Sequence, residues 1–216
     1  SSNNVVAGNF IGTDLTGTAA IQGGNSGVGL YGGANHNRIG GSTSGERNVI
    51  SGNRYHGVWI GNLGTDYNLV AGNLVGVDVT GTSPLSNGGD GVRIDTGSSH
   101  NLVGGSTPGE RNVISGNLYD GVRLAWNGTR HNRIIGNYIG LDVSGATAVE
   151  NHERGLVIEY DASDNTVGGA ALGEGNVISG NRYHGVAMWS PGTTNNVIQG
   201  NFIGTDASGG NAVPNG

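Results

Sequence analysis

The residues best suited to chemistry lie in and around six short segments that begin at Gly27, Gly57, Gly91, Gly121, Gly155 and Gly185. Two positions after each glycine stand Gly29, Trp59, Arg93, Arg123, Val157 and Ala187; four positions after it stand Tyr31, Gly61, Asp95, Ala125, Glu159 and Trp189. Just before the glycine come Ser26, His56, Asp90, Asp120, Arg154 and His184, with Tyr55, Tyr119 and Tyr183 one further back. Aromatic rings stack on sugar faces, while arginine and carboxylate groups bind hydroxyls or uronates. The candidate carbohydrate-binding residues are Trp59, Arg93, Asp95, Tyr119, Arg123, Glu159 and Trp189. An enzymatic reading would use Asp95 and Asp120 on adjacent coils as paired carboxylates for glycoside hydrolysis, or Arg123 in the elimination of a uronide. No catalytic residue is assigned, because a surface carboxylate pair among arginines should ionise fully and prepares no general acid. His56 and His184 recur in the same YHGV string and read as repeat residues. The alternative is that solvent-facing strand positions vary freely, and that Arg93 and Arg123 pair with Asp90, Asp95 and Asp120.

The elements that position these residues repeat every 64 residues. GNFIGTD at 8–14 returns as GNLVGVD at 72–78, GNYIGLD at 136–142 and GNFIGTD at 200–206, and NVISGN at 48–53 returns unchanged at 112–117 and 176–181. A period this strict implies units stacked on their neighbours. What recurs in every copy is scaffold, and chemistry belongs where the copies disagree. The glycine-led segments are spaced alternately 30 and 34 residues apart, and each is followed by two segments led by asparagine. Short alternating apolar runs closed by Gly and Asn are strand and turn signals. No sustained 3.6-residue period with caps occurs, so helix should be scarce.

Three strands per coil describe an all-β, three-sided parallel β-helix of about seven coils, ~30 Å long at the strand spacing. The two-residue period places Val58, Ile60, Val92, Ile94, Val122, Leu124, Leu156, Ile158, Val186 and Met188 inward from the first strands. The second strands point Val70, Val103, Ile134 and Ile198 inward, and the third strands Ile50, Ile114, Ile139 and Ile203. The asparagines at 37, 68, 101 and 132, and at 48, 73, 112 and 137, read as side-chain amide ladders running from coil to coil.

Two loops interrupt the coil, at 40–48 and 12–27, each with later copies. The long loop carries one apolar residue at a fixed place (Ile21, Leu85, Val149, Val213), and the third strand carries an apolar outward stripe (Phe10, Val49, Leu74, Val113, Tyr138, Val177, Phe202). Such a stripe is unusual in water, so Leu85 and Val149 are expected to cover it at Leu74 and Tyr138. Asp14, Asp78, Asp142 and Asp206 align with the slot of Asn53, Asn117 and Asn181 and read as turn caps. They lie two coils apart, ~10 Å, too far to share an ion that usually takes six or more oxygen ligands. No metal or cofactor is expected. Glu46, Glu110 and Glu174 read as ties for the shorter loop.

Composition narrows the partners. All ten basic residues are arginine and the net charge is −6, so no basic stripe exists to neutralise nucleic-acid phosphates. No run of about 18 apolar residues is present to insert into a membrane as a helix. There is no cysteine, which fits a disulfide-free secreted protein and a cytosolic one equally. Ser1 falls at a repeat boundary and no solenoid cap shows at either end, so residues 1–216 are expected to be a single β-helix domain within a longer protein or filament. Open strand edges recruit other strands, and head-to-tail self-association is the corresponding partner expectation.

The strings NVISGN, GNxIGxD and NxIGG resemble the right-handed parallel β-helix repeats of large secreted bacterial proteins, the pectin-lyase-like superfamily. The resemblance covers the whole chain. It implies a secreted or cell-surface location and a fold that carries polysaccharide lyases and hydrolases alongside passive stalks and adhesins. In the enzymes, the face corresponding to the first strands holds the sugar chain. No DPH string of the epimerase type, no calcium-binding nonapeptide and no regular Thr-x-Thr row occurs. The function expected is a structural or adhesive segment; the alternative is a β-helix that binds or cleaves a polysaccharide.

Overall fold

The computed structural model describes residues 1–216. It is a parallel β-solenoid with three sheets: two of seven strands and one of six, so about six turns close on all three sides. The first-strand sheet comprises Val28–Tyr31, Val58–Gly61, Val92–Asp95, Val122–Ala125, Leu156–Glu159 and Val186–Met188. All strand pairs are parallel and keep strict register: Trp59 lies opposite Arg93, Arg93 opposite Arg123, and Arg123 opposite Val157. Helix is confined to two 3₁₀ turns, Ser44–Glu46 and Pro108–Glu110.

The core follows from the two-residue alternation. Twenty buried residues form one continuous column, nearly all β-branched or Leu, with Ile50, Ile94, Ile114 and Val122 fully enclosed. Each carries its branched side chain into a pleated wall that favours that shape. The inward expectation fails at the last coil, where Met188 and Ile203 are about half exposed.

Polar side chains inside the walls are joined into ladders. In the first ladder Asn4, Asn37, Asn68, Asn101, Asn132, Asn165 and Asn196 are linked by Nδ2 of each donating to Oδ1 of the next at 2.8–3.1 Å. The second ladder joins Asn9, Asn48, Asn73, Asn112, Asn137, Asn176 and Asn201 in the same way. The same Oδ1 also accepts a backbone N–H from the preceding coil, as Asn112 does from Asn73.

A third ladder was not anticipated. It runs Asn53, Asn87, Asn117, Asn151, Asn181 and Asn215 at 2.8–2.9 Å. This corrects the alignment of Asp78 with Asn53. The true partners of Asn53 and Asn117 are Asn87 and Asn151 in the long loops, and the aspartates lie outside the ladder. Asp78 instead caps its own hairpin, accepting from Thr80 Oγ1 and from the N–H groups of Thr82 and Ser83. Hydrogen bonds from Thr16 and from the neighbouring backbone hold the Asp14 carboxyl below its usual range.

Each long loop is such a hairpin, bridged between Val77 and Pro84 or between Leu141 and Ala148. Gly76 makes the turn at φ +85°, where an added Cβ would sit 2.3 Å from Ser115 O. The hairpins stack on one another through Val79 N–H to Gly17 O and Val143 N–H to Gly81 O. They cover the middle of the apolar stripe, Val49 to Val177, but not in the expected register, and Phe10 and Phe202 stay about half exposed. Leu85 is only half buried, and the carbonyls of Leu85 and Val149 reach back one coil to Gly52 and Gly116. Val149 joins Val49, Leu74, Val77 and Val113 in one cluster, and Leu141 packs with Tyr138 and Val177. Val77 and Leu141, which open the hairpins, were missed as cover residues. Ile21 in the first hairpin is exposed.

In the shorter loop Thr43 and Glu46 form a capping box. Glu46 pairs with Arg38 at 2.6 Å, whereas Arg47, its neighbour in sequence, turns away to Gly72 O.

Ladder position should set the cost of losing an asparagine. Asn112→Ala strands two donors of Asn73 and the Val70 carbonyl in a dry wall, so it is expected to cost ~3 kcal/mol or more, and Asn196→Ala about 1 kcal/mol, by urea unfolding. Ile114→Asp is expected to abolish folding, read as loss of the β-type circular dichroism spectrum.

Candidate functional site

The first-strand sheet presents the diverged residues along one face, and parallel register fixes which of them meet. Tyr31 stacks on Trp59, with ring centroids 5.5 Å apart. Trp59 lies over Gly61, where a Cβ would collide with its indole, and donates its indole N–H to Asp95 at 3.1 Å. Arg93 Nε meets the same carboxylate at 2.5 Å and reaches Asp90 at 3.5 Å. One coil on, Arg123 pairs with Glu159 and stands 3.9 Å from Asp120. Glu159 also takes the indole N–H of Trp189. Arg154 closes the group, with Nε 2.8 Å from Asp120 and its guanidinium over the Trp189 ring at 4.5 Å.

Asp95 and Asp120 are not neighbours. Asp95 lies opposite Ala125 at the far end of the strand, about 16 Å along the wall from the level of Asp120 at ~3.3 Å per residue. The carboxylate beside Asp120 belongs to Asp90, whose Oδ1 accepts the Asp120 N–H at 3.3 Å. The expectation of a surface pair is also corrected. Asp95, Asp120 and Glu159 are buried, and only the guanidinium groups and rings above them reach solvent. Long arginine stems on adjacent rungs lie over the shorter acids, and no strand alone could show this.

Burial changes the electrostatics. Desolvation, and then the charge of Asp90, push the Asp120 carboxyl from 3.8 up to about 6, against the pull of Arg154 and Arg123. Desolvation also raises Asp90. His56 moves the other way, to about 4, through burial and the charge of Arg93. Its Nδ1 accepts the Asp90 N–H at 3.0 Å, which fits a neutral ring. Asp120 Oδ2 and Arg123 Nε are buried without hydrogen-bond partners. Beside them opens a cleft of about 290 Å³ lined by Tyr55, His56, Asp90, Arg93, Tyr119 and Arg123. Tyr119 is half exposed at its rim.

A further aromatic column was missed. His36, Tyr67, His100 and His131 stack along one corner with centroids 4.9–5.2 Å apart. Trp126 and Tyr160 stack at 4.6 Å just beyond the first strands. The sequence did carry a signal for the column: each member immediately precedes an asparagine of the first ladder, and each has positive φ. That turn conformation aims successive side chains the same way, so residues about 30 apart become rungs.

No family model, curated protein or solved structure matches the chain.

The Asp90–Asp120 pair makes a titration prediction. The Asp120 carboxyl should titrate near pH 6 by carbon-detected NMR, and Asp90→Asn should lower that midpoint by removing the adjacent charge. Because its folded pKa lies above the unfolded 3.8, Asp120 contributes stability that is full below about 3.8 and lost as pH rises through about 6. Asp120→Asn should therefore gain on the wild type in thermal melts across that window, in which His56 changes both proteins alike.

Proposed function

We propose that this chain is a rigid structural or adhesive segment of a secreted or surface β-solenoid: a stalk, adhesin or filament unit. The observation that carries this reading is how its polar groups engage one another: apart from Asp120 Oδ2, Arg123 Nε and Glu159 Oε1, the buried side-chain polar atoms find hydrogen-bond partners within the chain. Three asparagine ladders use the recurrent amides from coil to coil. On the diverged face Arg93, Arg123 and Arg154 are already engaged by Asp90, Asp95, Asp120 and Glu159. Such a surface is preassembled and resists local opening. Incubated with a panel of neutral and acidic polysaccharides, the purified chain is expected to release neither reducing ends nor unsaturated uronides; either product would overturn this reading.

A second reading, carbohydrate binding along the same face, is favoured by the exposed Tyr31 ring stacked on Trp59 and by the half-exposed Tyr119 at the cleft. Tyr31→Ala and Tyr119→Ala should then weaken retention on an acidic-glycan affinity gel with the melting temperature unchanged. Trp59→Ala and Arg93→Ala are unsuitable probes. Arg93→Ala uncovers a buried carboxylate, and a loss of roughly 3 kcal/mol is expected in denaturant unfolding.

A further inference from the structure

Arg47 and Arg111 occupy equivalent places in successive units, 64 residues apart. Arg47 Nε donates to Gly72 O and Arg111 Nε to Gly136 O, each at 3.3 Å. Arg111 also lays its guanidinium over the Tyr138 ring, 4.2 Å from the centroid. In the third unit the same positions are Gly175, Gly200 and Phe202. The arginine has gone; the carbonyl and the aromatic ring remain.

The space it would fill is open. A cleft of about 550 Å³ lies there, lined by Tyr138, Val177, Gly200, Phe202, Leu172 and Ala207 among others. Phe202 is half exposed and Leu172 almost wholly so. Gly200 O accepts no backbone hydrogen bond, whereas Gly72 O and Gly136 O are each capped by an arginine. The chain does not refill the cleft from position 175, because a Cβ there would sit 2.1 Å from Gly200 O.

We propose that this cleft binds a guanidinium group, presented as an arginine side chain by a partner protein. The second unit supplies the template: a planar, weakly hydrated cation stacked on the aromatic face and donating to the neighbouring carbonyl. The chain's net charge of −6 favours a cation overall. Glu174, behind Gly169, is already paired with Arg133 at 2.8 Å, so recognition in the cleft rests on the Phe202 ring and Gly200 O. Arg111, at the other edge, keeps its charge while donating to Gly136 O and stacking on Tyr138. This site lies on the third-strand side and is independent of the first-strand face.

The test is a titration of the nitrogen-15-labelled chain with N-acetylarginine amide. Backbone shifts are expected at Leu172, Gly175, Gly200 and Phe202, with the uncharged N-acetylcitrulline amide giving little response. Phe202→Ala should weaken binding about tenfold, the scale of a partly desolvated cation–π contact, and Phe202→Tyr, the residue type of the second unit, should retain it. Leu172→Lys changes an exposed side chain at the cleft mouth and should weaken binding by repulsion with the spectrum otherwise intact. Equal shifts from the citrulline probe, shifts mapping away from the cleft, or unchanged affinity in both Phe202→Ala and Leu172→Lys would overturn the proposal.

Discussion

The asparagine-to-asparagine hydrogen bond holds the rest of this structure in place. A solenoid wall turns three times per coil, and each turn removes backbone groups from the sheets. Inside a dry wall those groups need partners, since an unmet donor or acceptor costs about 1–3 kcal/mol. The amide side chain meets the need because it carries both a donor and an acceptor. Asn112 shows the arrangement: its oxygen accepts from Asn73 while its nitrogen donates to Val70 O and to Asn137. The ladders fix coil register, and register in turn determines which outward residues become neighbours.

The same constraint shapes the surface. Since neighbours across the first-strand sheet are set to the residue, arginines on two successive coils can each lie over an acid of their own strand or the next. The result is a sheet face whose carboxylates are buried beneath arginines, with Asp120 drawn toward neutrality by its own burial. Where the repeat changes without a compensating change nearby, space is left. With Gly175 in the place of Arg111, Gly200 O lacks the arginine that caps Gly72 O and Gly136 O, and a cleft lies beside it.

The long hairpins show how an irregular insertion becomes part of a regular solenoid. Each is capped by its own aspartate, stacks on the hairpin two coils away and presses one or two apolar residues onto the outer stripe. This buries Val49, Leu74 and Val113, and it adds a second, smaller core outside the coil. Loop residues thereby carry packing that strands usually provide.

Sequence alone determined the solenoid, its three strands per coil, the inward set from Val58 to Ile178 and two of the three amide ladders. Those depend on local alternation and on a period visible in one dimension. The third ladder escaped because its rungs alternate between a coil residue, Asn53, and a hairpin residue, Asn87, so that string alignment chose Asp78 instead. Only the tertiary structure decided that Asp120 meets Asp90 rather than Asp95, that the carboxylates are buried beneath arginines, and that the hairpins fold back by one coil. Each of these depends on how far a long side chain or a folded loop reaches across neighbouring coils, a distance that residue spacing along the chain does not contain.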